Sequence, residues 1–310
     1  MRKLTRRKFL LESTTIAGAI ALSKTEASAQ QNTPLDMVVC KWKGDPIPEE
    51  PTKEIADKLT KKAIEALGGM ERFVKRGDIV WIKPNIAWDR TPEQAANTNP
   101  DVIRALIELC LNAGAKKVKI GDNTVNDATK SYPRSGIEEV AKELGAEIVY
   151  LDRSRFREID INGERVKKIP IYPEIIECDL VISVPVAKHH AATTVTLAMK
   201  NYMGVIENRR MFHQDLPTCI KDITAYMKPK ISILDAIRVL TANGPQGGDL
   251  KDVKRMNIVS ASVDIVALDA FGAEILGYNP NQIGTVKKAY DSGLGQIDYK
   301  NKLKFQEIIV

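Results

Sequence analysis

Four β-rich runs, at positions 37–42, 78–83, 117–120 and 147–151, alternate with stretches of helical period, and this alternation constrains the fold more than any other feature. Ile55, Leu59, Ala63 and Leu67 recur every four residues, share one helical face, and are stopped by Gly68-Gly69. Asn99-Pro100-Asp101 opens a second helix whose apolar set is Val102, Ile103, Leu106, Leu109 and Cys110, with Gly114 closing it. A third helix runs over 137–144 and ends at Gly145. Strands joined through helices need crossover connections, and crossovers make neighbouring strands parallel. The expected fold is therefore α/β: a doubly wound, mostly parallel sheet with helices on both faces.

One interruption breaks the pattern. Runs at 158–161 and 165–169 flank Asn162-Gly163, the signal of a two-residue hairpin turn. The nearly continuous apolar run at 180–185 then resumes as a strand covered on both faces. Two more strands follow at 231–235 and 257–260, with a helix over 263–276 stopped by Gly277. No internal repeat, low-complexity tract or long linker divides residues 30–310, so a single α/β domain with a small hairpin insertion is expected there.

Residues 1–29 read as a signal peptide. Thr5-Arg6-Arg7-Lys8-Phe9-Leu10-Leu11 is a twin-arginine pattern, a modest apolar run follows at 16–22, and Ala27-Ser28-Ala29 supplies a small-residue cleavage site. Export through the twin-arginine translocation machinery to the periplasm or beyond is expected. That route carries folded proteins, often with a cofactor already inserted. No segment of the mature chain reaches the roughly 18 apolar residues of a membrane span, so none is expected. The leader also accounts for four of the six net positive charges, holding six lysines and arginines against two glutamates. The basic balance of the chain therefore says nothing about a nucleic-acid partner, and none is expected. Cys40, Cys110, Cys178 and Cys219 stand far apart with no C-x-x-C pair, which argues against an iron–sulfur cluster or zinc ribbon and favours buried free thiols.

In an open parallel sheet, ligands bind beyond the carboxyl ends of the strands. The residues after each strand are small, polar or chargeable: Lys83-Pro84-Asn85, Gly121-Asp122-Asn123, Lys188-His189-His190, Asp235-Ala236 and Ser260-Ala261-Ser262. All three histidines of the chain, His189, His190 and His213, fall close together, with Lys200, Asn201, Arg209 and Arg210 in the same window. Imidazole is both the commonest metal ligand and the natural acid–base group near pH 7, so these three are the candidate metal ligands. Lys200 closes an uncharged run from Thr193; desolvated it is a nucleophile, and charged it is an anchor for a phosphate. Asn243-Gly244-Pro245-Gln246-Gly247-Gly248 offers backbone N–H groups to an anion. It matches neither a dinucleotide nor a nucleoside triphosphate loop, and no G-x-S-x-G elbow or H-E-x-x-H pair occurs.

These residues define one expected crevice for a small anionic molecule. His190, Lys200 and Asp122 are the catalytic candidates, with Asp122 holding an imidazole or a metal. Lys83, Asn85, Asn123, Lys188, Asn201, Asn243, Gly244 and Gly247 are the ligand-binding candidates, the lysines supplying charge and the asparagines orienting hydrogen bonds.

With the residues laid out, the chain resembles the family called domain of unknown function 362. The resemblance is carried by Lys83-Pro84-Asn85, Ala113-Gly114-Ala115 through Gly121-Asp122, Val184 through His190, Thr196 through Gly204, Asn243-Gly244-Pro245 with Gly247, and Ser260 through Asp269. Many members carry a ferredoxin-like segment whose cysteines are missing here. A fainter similarity points to lactate racemase and its relatives. Asp89-Arg90-Thr91-Pro92 is similar to their substrate loop, and His190, Lys200 and His213 follow the order of residues that hold their nickel-bearing nucleotide. Asp122-Asn123 departs from that pattern, standing where those relatives have a further histidine. Four functions fit the residues and the resemblances: an exported enzyme with a metal or organic cofactor, a periplasmic ligand- or metal-binding or delivery protein without turnover, a structural or assembly factor for a redox complex, and a racemase or epimerase with a lysine-anchored nickel cofactor.

Overall fold

The structure, a computed structural model, describes residues 33–44 and 51–310. The twin-arginine leader lies outside the described residues. From Leu35 to Val310 the chain forms one compact unit.

The twelve strands are β1 Met37–Lys41, β2 Ile79–Pro84, β3 Lys117–Ile120, β4 Glu147–Ile148, β5 Arg157–Asp160, β6 Lys168–Ile171, β7 Leu180–Val184, β8 Val186–His190, β9 Thr194–Thr196, β10 Ser232–Leu240, β11 Val253–Ser262 and β12 Phe305–Ile309. The main sheet runs in the order β12, β1, β11, β10, β7, β2, β3, β4. Beyond the end of β7, β8 takes over the parallel pairing with β10, and β9 folds back on β8. Parallel pairings dominate: β12–β1, β10–β7, β10–β8, β7–β2, β2–β3 and β3–β4. The mostly parallel α/β fold expected from the sequence is what the chain adopts.

One strand departs from the expectation. β11 runs antiparallel to both β1 and β10. Its last residues, Ser260 to Ser262, therefore pair with the starts of the neighbouring strands, Ser262 lying opposite both Met37 and Ser232. They sit at the edge opposite the crevice. The strand around Asp235 is also longer than expected, continuing to Leu240, so Asp235 is a mid-strand residue. Its buried carboxylate accepts from Asn99 N and Ile237 N.

Side chains alternate across a strand, and here each face has its own core. Val38, Cys40, Val80, Ile82 and Ile233 pack against α1 (Lys53–Ala66), α2 (Pro100–Asn112) and, beyond the short α3 (Ala128–Arg134), α4 (Ile137–Glu143). Met37, Val39, Trp81, Leu234 and Val239 face the other way. There they meet α7 (Leu216–Met227), α8 (Ile265–Ile275) and α9 (Gly284–Asp291), numbered after α5 (Pro173–Ile176) and α6 (Ala198–Asn201). All four cysteines are free thiols, and burial pushes Cys40 and Cys110 up to about 12 and Cys178 and Cys219 up to about 11.

The hairpin forms, but not around a two-residue turn. β5 and β6 pair from Arg157↔Ile171 to Asp160↔Lys168, leaving 161–167 as the connection, with Gly163 N donating to Val166 O. Buried Asp222 on α7 decides this. Its carboxylate accepts the N–H groups of Glu164, Arg165 and Val166, fixing a wider loop than Asn162-Gly163 alone would make. Among the described residues no helix is long and apolar enough to cross a membrane.

Candidate functional site

At the carboxyl ends of β2, β3 and β8 lies a cavity of about 370 Å³. The end of β2 delivers Lys83 and Asn85, and the end of β3 delivers Asp122 and Asn123. β8 contributes Lys188 and His190, β9 Thr196, and the short helix α6 Lys200 and Asn201. Nine of the sequence candidates thus share one cavity, His213 being the ninth.

The floor is a buried ion pair. Lys83 Nζ lies 2.7 Å from Asp122 Oδ1 and donates to Pro84 O and Asn201 Oδ1, both at 2.8 Å. Asp122 Oδ2 accepts from Ile86 N, so both carboxylate oxygens are engaged. The backbone of Asp122 is held by Tyr132, whose hydroxyl accepts from Asp122 N and donates to a carbonyl. Asp122 therefore neutralises Lys83, and no imidazole is its hydrogen-bond partner among the described residues. Gly204 roofs the pair at close range. A Cβ there would overlap Asp122 Oδ1 and sit 2.5 Å from Lys83 Nζ, so only glycine lets this turn approach.

The other two lysines have fewer partners. Lys188 is buried and donates to Ala96 O at 2.5 Å. Burial holds it well below the ordinary lysine value, with Lys200 and Lys83 pushing the same way. Lys200 has no hydrogen bond or ion pair to another described residue, and burial next to Arg209 and Lys83 lowers it to about 8. Arg209 donates to the carbonyls of Met203, Asn123 and Thr124, which fastens the 207–214 segment across the cavity. Buried Thr196 leaves its hydroxyl without a protein partner. Such a buried polar group is costly unless something meets it.

The histidines part company. His189 and His190 sit on a strand, not the loop expected after 185, so their side chains point to opposite sides. His189 Nδ1 accepts from Gly244 N and is outside the cavity lining; His190 lines it. His190 Nδ1 accepts from Ala192 N, which leaves Nε2 to carry the proton. Burial, with Lys200 and Lys188 adding to it, lowers His190 to about 3, so its imidazole stays neutral and acts as a hydrogen-bond donor. Among the described residues, no group of three His, Cys, Asp or Glu is gathered that could hold a metal. His189, His190 and His213 are not one ligand set.

The glycine-rich loop also lies elsewhere. Only Pro245 of that segment reaches the cavity. Asn243 donates to Asp252, Gly247 O and Gly248 O accept from Arg90 and Gln94, and Gly244 packs against the His189 carbonyl. Gly247 and Gly248 thus brace the 88–94 loop, and Asn243, Gly244 and Gly247 do not line the site. Arg90 of the racemase-like tetrapeptide is tied to that loop as well. Sequence reasoning passed over Arg209, Thr196, Trp88, Met203 and Gly204 as site residues. Gly204 stood inside a segment already matched to a family, and Arg209 inside the histidine window.

The family profile "Domain of unknown function (DUF362)" matches residues 80–274, which takes in every cavity element from β2 to α8. The chain belongs to this family. The chain is also similar to thylakoid-associated protein sll1697 of Synechocystis sp., at 28% identity over 240 residues, 74% of this chain and 73% of that protein. A solved structure with a similar course is the lactate racemase apoprotein of Thermoanaerobacterium thermosaccharolyticum. It is 13% identical with a TM-score of 0.47, and the alignment covers 81% of this chain but 58% of that protein's length. For this DUF362 member the site must be read from its own residues.

Proposed function

We propose that this DUF362 protein is an enzyme acting on a small organic anion, with Lys200 as the group that reacts. One observation carries the reading: an amine without a protein partner among the described residues, set in a cationic cavity and lowered to about 8. Desolvation beside other cations is how a lysine is made nucleophilic near neutral pH. Lys188, Arg209 and the Nε2–H of His190 supply positive charge and a donor for the anion, and the Thr196 hydroxyl gains the partner it lacks. The Lys83–Asp122 pair fixes α6 through Asn201 and takes no part in the reaction. In the step envisaged, the Lys200 amine adds to a substrate carbonyl carbon, water leaves, and an imine remains.

A nickel-bearing nucleotide does not fit these donors. His190 offers an Nε2–H and not a lone pair, Asp122 is consumed by Lys83 and Ile86, and no metal-binding group of three is gathered among the described residues. No step is assigned to such a cofactor. Export to the periplasm, supported by the leader sequence, belongs to the same proposal.

Incubation with pyruvate and borohydride, followed by peptide mass analysis, tests it. The expected result is a reduced adduct on Lys200, formed faster as pH rises from 7 to 9 because the reactive amine is the deprotonated form. Tight pyruvate binding without an adduct would mark the cavity as a binding site without turnover.

A further inference from the structure

The cavity distributes its polarity against the usual order. Its most buried lining residues are charged or polar: Lys83 and Lys188 are each 1% exposed, and Asn201 and Thr196 each 3%. Its outer wall is apolar. Val125 is 52% exposed, and Trp88 and Pro245 are partly exposed on the same lining, with buried Met203 between wall and floor. Protein surfaces normally place the charge outward and the hydrophobe inward. Here the deepest lining is charged or polar, and the outer lining sets an apolar patch beside the partly exposed Lys200, Arg209 and His190.

The apolar wall is built, not incidental. Val125 N and Asn126 N both donate to Ala87 O, which fastens the loop carrying Val125 to the strand exit carrying Trp88. Asn97 clamps Trp88 from both sides, accepting its N–H and donating to its carbonyl. Asn123, which could have offered an amide to a polar ligand, spends its Nδ2 on Ile206 O and Glu207 O. His213 is an exposed polar side chain of the same lining.

We infer that the substrate is an amphiphilic anion: a carboxylate seated at the lysines with a short apolar body, aliphatic or aromatic, lying against Trp88, Val125, Met203 and Pro245. This rests on the anion reading above and narrows it. About 370 Å³ is enough for a headgroup and a body of several carbons and too little for a long acyl chain or a dinucleotide.

Calorimetric titration of the full chain with acetate, butanoate and hexanoate tests the inference, using the Trp88→Ala, Val125→Asp and Lys200→Met variants beside the unsubstituted protein. Affinity is expected to rise about two- to fourfold for each methylene added. Trp88→Ala and Val125→Asp are expected to cost hexanoate about fivefold or more while costing acetate far less. Val125 is exposed, so its substitution reads the wall even should Trp88→Ala disturb folding. If hexanoate binds no tighter than acetate and both are lost in Lys200→Met, the apolar body is wrong and the anion site stands. If neither binds, the anion reading falls and this inference with it.

Discussion

Lys200 carries a cost that its function would explain. A half-buried ammonium in a cationic cavity, with no partner among the described residues, destabilises the fold, because the unfolded chain hydrates it freely. Between about pH 8 and pH 10 the unfolded lysine still holds a proton that the folded one has lost, so stability rises with pH across that window. Near pH 7 both forms are charged and the full cost is present. Lys200→Met is therefore expected to stabilise the protein at pH 7 by on the order of 2 kcal/mol, and to gain almost nothing at pH 10.5. Urea unfolding at the two pH values measures this; a variant less stable at pH 7 would mean the ammonium is well satisfied. Gly204→Ala should act in the opposite sense, costing about 3 kcal/mol in thermal or urea unfolding, since its Cβ has no room beside Asp122 and Lys83.

Elements explain how those residues come to meet. α6 is a single turn, too short to hold itself, and it is fixed from α8: Asp269 accepts Ala198 N at 2.6 Å and Met199 N at 3.1 Å. Burial raises Asp269 to about 7. From about pH 4 to pH 7 the folded carboxyl keeps a proton that the unfolded one releases, so its contribution to stability falls as pH rises. Asp269→Ala leaves two buried N–H groups without a partner and should cost about 3 kcal/mol, more at pH 5 than at pH 8, with the loss of adduct at Lys200 as a second readout. The reach of sequence reading is visible at this scale. Lys83, Asn85, Asp122 and Lys188 were legible because parallel strands deliver their carboxyl ends to one edge, so a polar residue after each is already placed. The same rule misplaced Ser260 to Ser262, because an apolar run carries no sign of its direction and β11 runs backwards. It missed Arg209, which arrives just before a 3-10 turn with no strand end to announce it. His189 left the histidine group for a local reason: a strand, where a loop was expected, sends it to the side opposite His190, while His213 stays with His190 in the cavity lining.

For the whole molecule, the export proposal makes a prediction that does not depend on the site. Changing Arg6 and Arg7 together to lysine should leave the protein folded and retained inside the cell, read by fractionation with the unsubstituted chain alongside. Unchanged export would remove the twin-arginine assignment and leave the cavity chemistry untouched. The sheet itself adds a condition on timing. β1 is the earliest described strand to leave the ribosome, yet it lies between β11 and β12, both encoded near the far end of the described chain. Until those two segments have been synthesised, β1 has neither neighbour, and Met37 through Lys41 must wait with their backbone groups unpaired. The sheet can be closed on that side only after translation of the described region is complete. A half-made chain already holds Lys83 and Asp122 in sequence but lacks the strands that seal the sheet beside its own beginning.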